Sequence, residues 1–187
     1  MPMFRLLFAC VFAIALTGCA SSAKIEGMTV SDSQAQTLPF DKPLHDNLLI
    51  SEVNGGESTN PLWTSEIDGS AFQSALQQSL VNAGLLSSSS QAPYVLHANL
   101  LRVDQPMFGL DFKVTTEVEY SLVESAGGKV LFREVLRTPF TAGIGDAFFG
   151  VKRLRLANEG AAKENIAALL KRLSALKVEA SQVSLSQ

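Results

Sequence analysis

The chain is 187 residues long and carries a formal net charge of −3 at pH 7. This mildly acidic balance disfavours nucleic acid as a partner, because nucleic-acid binding needs clustered positive charge. The length suits a single domain that buries about 70% of its unfolded surface.

The first eighteen residues have the layout of a secretory signal. Arg5 lies near the start, an apolar run extends from Leu6 to Leu16, and small residues precede Cys19. A helix needs about 20 apolar residues to cross a hydrocarbon layer of roughly 30 Å, so this run is too short to be a permanent transmembrane anchor. We therefore expect residues 1–18 to be removed as a signal peptide.

The residues Leu16-Thr17-Gly18-Cys19 resemble the lipobox of bacterial lipoproteins. That resemblance implies a diacylglyceryl group on the Cys19 thiol and cleavage just before it; the alternative is an ordinary signal cleaved nearby, which leaves a free thiol. Ala20 supplies no acidic retention signal, so the resemblance implies the outer membrane, periplasmic side. Cys10 leaves with the signal, so the mature domain would hold no disulfide, and the loss of Arg5 would bring its net charge to −4.

Ser, Gln and Thr dominate the next stretch, which has few large apolar side chains. Such a composition is typical of flexible segments, so residues 19–45 are predicted to form a tether and residues 179–187 a disordered tail. One folded domain is then expected over residues 46–178.

The predicted elements of that domain begin with a short strand and a helix. Leu48, Leu49, Ile50 and Val53 form an apolar run closed by Asn54-Gly55-Gly56. A helix is predicted over Gly69–Ala83, because Asp68 is a good N-cap and Gly84 fits the position just past the end.

Three alternating strands and a second amphipathic helix follow. The strands cover Tyr94–Leu100, Phe112–Leu122 and Val130–Arg137, and Ala162–Leu176 carries apolar residues at helical spacing. The order β-α-β-β-β-α predicts an α+β fold of two layers, with both helices on one face of a mostly antiparallel four-stranded sheet.

Residues able to support catalysis are scarce. The sequence has no CxxC, HExxH, GxSxG or GxxxxGK[ST] motif, and neither His45 nor His97 has a metal-ligand companion. Glu117 and Glu119 share a strand face. Such an arrangement is more commonly part of a hydrated sheet surface than a catalytic pair of carboxylates. We expect no catalytic residue, no metal and no cofactor.

The loop from Ala142 to Gly150 is the least ordinary segment, because it combines three glycines with Phe148 and Phe149. One ring is available to a partner protein or a lipid surface if it is exposed; alternatively, the loop folds over the sheet and buries both rings. A second loop, Gln105–Gly109, also carries Met and Phe and would add to an apolar patch if it lies at the same end of the sheet.

Three cations lie where the last helix should start. Lys152, Arg153 and Arg155 oppose the helix macrodipole there. Either the helix begins nearer Asn158, or these cations face an acidic partner or lipid headgroups; ion pairs with Asp146 or Glu159 are the simpler alternative.

The lipobox, the tether and the element order together resemble small envelope lipoproteins that assist larger machines, such as the lipopolysaccharide-transport outer-membrane lipoprotein and the auxiliary lipoproteins of ABC transporters. The resemblance implies a non-enzymatic domain, held to the membrane through Cys19, that binds an unknown envelope protein. The alternatives are a binder of a small amphiphile, lipid or glycan fragment between helices and sheet, and an envelope hydrolase or transferase.

Overall fold

The computed structural model describes residues 21–56 and 66–178. The elements, in chain order, are α1 Ile25–Met28, α2 Asp32–Ala35, a 3-10 turn Lys42–Leu44, β1 Leu48–Ile50, β2 Asn54–Gly55, α3 Gly69–Asn82, β3 Tyr94–Asp104, β4 Phe112–Glu124, β5 Val130–Ala142 and α4 Gly150–Ala175. The predicted order of main strands and helices is confirmed.

One mostly antiparallel sheet forms the centre of the fold, with the strand order β1-β3-β4-β5. The long strands β3, β4 and β5 are paired antiparallel, while the short strands β1 and β2 both run parallel to β3. Since β2 adds a second short parallel strand, the sheet has five strands where the sequence predicts four. Pro139 lies in β5, which is the last strand in this order.

Both long helices cover the same face of the sheet, as predicted. Side chains that alternate along β3 and β4, such as Leu96, Val118 and Leu122, join Phe72 of α3 and Ile166 of α4 in one hydrophobic core. The residues between them point to the opposite, uncovered side of the sheet. We call that side the open face.

Local signals set the bounds of α3. Asp68 Oδ1 accepts hydrogen bonds from the backbone N–H groups of Ser70 (2.9 Å) and Ala71 (3.2 Å), and Gly84 has a φ of +67° just beyond the end of the helix. The helix ends at Asn82, one residue before its predicted end. The pKa of Asp68 is lowered most by the hydrogen bond from the Ser70 hydroxyl and less by these backbone hydrogen bonds.

The helix α4 crosses β4 and β5 at very short range. A Cβ on Gly160 would collide with the Phe140 ring, so any larger residue at this crossing would require that ring to move. At the centre, the buried Tyr120 hydroxyl donates to Asn165 Oδ1 at 2.9 Å, and Asn165 Nδ2 donates to the Leu136 carbonyl at 2.9 Å. Burial raises the pKa of Tyr120, which keeps its hydroxyl protonated as a donor.

Residues 21–45 are folded, so the prediction of a flexible tether is wrong for this segment. Met28, Val30, Ala35 and Leu44 are buried in the main core. The backbone is also held, because Val30 N–H donates to Ser79 Oγ at 3.0 Å and the Val30 carbonyl accepts from Asn82 Nδ2 at 2.8 Å. The folded domain therefore includes residues 21–45, where the sequence predicts a start at residue 46. The signal segment, Cys19 and the tail of residues 179–187 lie outside the described residues.

No helix within residues 21–56 and 66–178 combines the length and hydropathy required to span a bilayer.

Candidate interaction site

Two loops meet at one end of the sheet. The β3–β4 loop covers residues 105–111, and the β5–α4 loop covers residues 143–149. The register pairs Phe112 at the start of β4 with Ala142 at the end of β5, so both loops leave the sheet side by side. They also touch, because a Cβ on Gly143 would lie 2.9 Å from Asp111 Oδ1.

Large apolar side chains project from both loops into solvent. Met107 is 93% exposed, Phe108 86%, Phe148 82% and Phe149 68%, and the Phe148 and Phe149 rings meet edge to face with centroids 5.6 Å apart. The alternative in which both rings are buried is therefore wrong. We call this end the apolar tip; it consists of Met107, Phe108, Leu110, Ile144, Phe148 and Phe149.

The β5–α4 loop is folded tightly beneath these rings. Gly143 N–H donates to Asp146 Oδ2 at 2.8 Å, and Asp146 N–H donates back to the Gly143 carbonyl at 3.0 Å. The residue that this turn places in the interior is Ala147, which is buried. Because the small Ala147 takes the inward position, the two phenylalanines that follow are directed outward.

Arg153 stabilises the same loop from within. Its side chain is 7% exposed, and Nη1 donates to the carbonyls of Ala147 (2.8 Å) and Phe148 (2.6 Å) while the guanidinium lies 5.5 Å from the centroid of the Phe112 ring. The Ala147 and Phe148 carbonyls offset the unfavourable position of the Arg153 charge near the positive end of the helix dipole, which is compatible with a start of α4 at Gly150. The structure excludes the alternative in which the helix begins near Asn158, and the predicted partner contact of Arg153 is wrong because its side chain is buried.

Arg155 is also engaged internally. Its Nε lies 3.3 Å from Glu159 Oε1, as the ion-pair alternative predicts, and its Nη1 donates to Ser21 Oγ at 2.8 Å. Glu159 Oε1 further accepts from the Lys24 backbone N–H at 2.9 Å. Of the three cations, Lys152 is the exposed one. Partner contact by Phe148, Phe149 and Lys152 stays a prediction.

The start of the described chain lies at the same end of the molecule. Ser21 is bonded to Arg155, which sits in the second turn of α4 directly behind the tip. Ala23 N–H donates to the Glu66 carbonyl at 3.3 Å, and the Glu66 carboxylate accepts from Gln105 in the β3–β4 loop. The chain therefore enters the fold beside both tip loops. No sequence signal revealed this, since it depends on long-range contacts.

The residues considered for catalysis do not converge. His97 is exposed on the open face opposite Ser121, while Glu117 is opposite Arg102 and Glu119 opposite Asn99. Ser121 and Glu117 are four positions apart on β4, which is about 13 Å at the usual strand rise. His45 is exposed beside Phe40. In the described part of the chain, no group of three His, Cys, Asp or Glu side chains could hold a metal ion.

An open groove of about 790 Å³ lies at the opposite end of the sheet from the tip. Its lining includes Pro43, Pro93, Tyr94, Glu124 and Ala126. Tyr94 contributes its phenol. Burial raises the pKa of this phenol most, and the negative charge of Glu124 raises it further. The predicted amphiphile site would lie between the helices and the sheet; this groove is instead formed by the loops before β3 and after β4.

Comparison with known proteins shows the fold alone. No family model and no curated sequence matches the chain. A Xanthomonas campestris protein of the DUF330 family superposes with a TM-score of 0.53 at 11% identity, over 72% of this chain and 89% of that one. A candidate lipoprotein from Caulobacter crescentus gives a TM-score of 0.46 at 14% identity over 77% and 92% of the two chains. The PelC dodecamer protein of Paraburkholderia phytofirmans gives 0.49 at 16% identity over 73% and 92%.

Proposed function

We propose that this chain is a lipid-anchored protein of the cell envelope that acts by binding, as an assembly or auxiliary component of an envelope system. The lipid is attached at Cys19, and the domain faces the periplasm from the outer membrane. Support for the anchor comes from the Leu16-Thr17-Gly18-Cys19 segment, which follows an apolar run of suitable length.

The apolar tip is the observation that carries this proposal. Exposed apolar side chains scattered singly over a surface are ordinary, but contiguous groups tend to mark contact sites for proteins or membranes. Here six such side chains are gathered on two touching loops, and Asp146 and Arg153 fix the backbone of the β5–α4 loop, which carries three of them. A preformed apolar surface of this kind lowers the ordering cost of binding.

Binding, as opposed to catalysis, is favoured by the positions of the polar side chains. His97 and Glu117 are on separate parts of the open face, where His97 is exposed and Glu117 half-buried. A hydrolase or transferase would need such groups to converge in a cleft. Arg102, Asp104 and Arg137 on the open face instead form ion pairs with one another at the surface of the sheet.

Site-specific photo-crosslinking in native membranes tests the partner. A photoreactive residue would replace Glu119 on the open face or Phe148 at the tip, with Val81 on the outer side of α3 as the matched control. We expect a discrete protein adduct from Phe148 or from Glu119, and none from Val81. Equal, diffuse labelling from every position would contradict the proposal, and mass spectrometry of the mature protein checks the lipid on Cys19 independently.

A second candidate function is the binding of a small amphiphile, for which the groove beside Tyr94 gives a reason. Its volume of about 790 Å³ lies in the range of ligand pockets. Detergent-free protein from native membranes should then release a bound lipid or glycan on denaturation. A Ser125→Trp variant, which fills the groove, should release less, and equal release would count against this function.

A further inference from the structure

We infer that the apolar tip is inserted into the interfacial layer of the bilayer that holds the Cys19 acyl chains. The domain would then rest directly on the membrane with its loops down. This inference depends on the proposed lipidation of Cys19, and it adds an orientation and a lipid contact that the anchor alone does not require.

The length of chain between the anchor and the fold is the first argument. Ser21 is fixed by its hydroxyl to Arg155 Nη1 at 2.8 Å, and Cys19 is only two residues earlier. Two residues span at most about 7 Å even when fully extended. If Cys19 carries the lipid, the bilayer must therefore lie close to Ser21 and to the first turns of α4.

Firm attachment of the following residues is the second argument. A flexible tether over residues 19–45 would let the domain rotate freely and stand away from the membrane. Instead, Lys24 N–H is bonded to Glu159, Met28 is fully buried, and Val30 is held on both sides by α3. The end of the domain that carries Ser21 is consequently the end that faces the bilayer.

The chemistry of that end suits lipid. Both tip loops present aromatic or long aliphatic side chains that are nearly free of protein contacts, such as Met107, Phe108 and Phe148. The exposed charges on the loops and the first turn of α4 are those of Asp111, Asp146 and Lys152, so the surface has no strong basic field. Insertion would be apolar in origin, independent of anionic lipids and insensitive to salt.

A fluorescent reporter in the intact lipidated protein tests the orientation. The chain has one tryptophan, Trp63, so a Trp63→Phe background allows a single new tryptophan at the tip, Phe148→Trp. The control is Val130→Trp, since Val130 is also exposed but lies at the β4–β5 hairpin, at the far end of the sheet. Both proteins are reconstituted through their own lipid into phosphatidylcholine vesicles, with and without bromine-labelled acyl chains.

We expect the Phe148→Trp emission to shift to the blue and to lose intensity in brominated vesicles, most strongly for bromines about 5–10 Å below the headgroup boundary. Val130→Trp should keep the emission of a hydrated tryptophan. An unquenched Phe148→Trp would overturn the inference, as would a blue shift without bromine quenching, which reports burial against protein or a second copy.

Mass spectrometry on the same samples distinguishes a failure of lipidation at Cys19 from a failure of the inferred orientation. A lipidated Cys19 with an unquenched tip removes the orientation and leaves the proposed function in place. An unmodified Cys19 removes the proposed function and the premise of the inference together. Unchanged melting temperatures of both tryptophan variants establish that the compared domains are folded.

Discussion

Arg155 connects the beginning of the domain to its last helix, because its Nη1 donates to Ser21 Oγ while its Nε pairs with Glu159. This contact spans 134 positions of sequence. It makes the N-terminal segment an integral part of the fold.

Replacement of Met28 by Ala tests whether residues 21–45 contribute to stability. Met28 is fully buried in the main core, so its truncation should lower the free energy of unfolding by about 2–5 kcal/mol. Urea unfolding measures the change. Val81→Ala, at a site that is half exposed on α3, serves as the control and should change stability by less than about 0.5 kcal/mol. Similar values for the two variants would mean that the segment is a tether after all.

The paired phenylalanines should be dispensable for folding. Replacing both Phe148 and Phe149 by Ser removes side chains that contact mainly each other, so the free energy of unfolding should change by no more than about 0.5 kcal/mol. Phe72→Ala, in the core, should cost about 3–5 kcal/mol in the same assay. Loss of crosslinking or lipid contact by the double variant at unchanged stability would assign the rings to binding. A large loss of stability would assign them to the core.

Arg153 is expected to control the order of the β5–α4 loop. An Arg153→Ala substitution leaves the Ala147 and Phe148 carbonyls without their charged donor, at a cost of about 1.5–3 kcal/mol. Hydrogen exchange of the loop amides should accelerate more than exchange at the centre of β4. Lys152→Ala, one residue earlier and exposed, should leave both rates unchanged. Equal protection in the two variants would argue against this role.

The buried pair of Tyr120 and Asn165 should be sensitive to removal of either member. Asn165→Ala leaves the Tyr120 hydroxyl and the Leu136 carbonyl without their partner, so we expect a loss of about 2–4 kcal/mol. Tyr120→Phe leaves only Asn165 Oδ1 unsatisfied and should cost less. A double-mutant cycle measures the coupling, and additive effects would show that the two side chains do not interact.

The capping aspartate gives the stability a defined dependence on pH. Because hydrogen bonds lower the folded pKa of Asp68, its ionised form favours the folded state, and that contribution is complete above its ordinary pKa of 3.8. It should be lost as the pH falls from about 4 through the lower folded pKa. Unfolding of wild type and Asp68→Asn as a function of pH should therefore differ most above pH 4 and converge in stronger acid. A constant difference would contradict this assignment.

Local signals in the sequence predicted part of this architecture well. The bounds of α3 follow from Asp68 and Gly84, whose effects act within a few residues. Alternation along β4 correctly divides core side chains from those of the open face. These features were predictable because they depend on neighbours in sequence.

Features that depend on distant residues were missed. The apolar side chains of residues 21–45 are spaced among polar ones, and their burial in the core depends on contacts with distant elements such as α3, which no local pattern can show. The start of α4 stayed open in the sequence analysis, because the sequence does not show that Arg153 reaches back to loop carbonyls. The two tip loops lie side by side because Phe112 is paired with Ala142, and the sequence does not reveal this register. Sequence analysis could therefore predict an apolar patch only for the case in which both loops lie at the same end of the sheet.

Pro139 bears on whether the outer edge of β5 can pair with a strand of another molecule. A thirteen-residue outer strand such as β5 is a ready template for strand addition, which leads to aggregation. Proline has no backbone hydrogen to offer an incoming strand, so the row of donors along β5 is interrupted there. Edge-to-edge pairing of two copies through β5 is thereby disfavoured at this position.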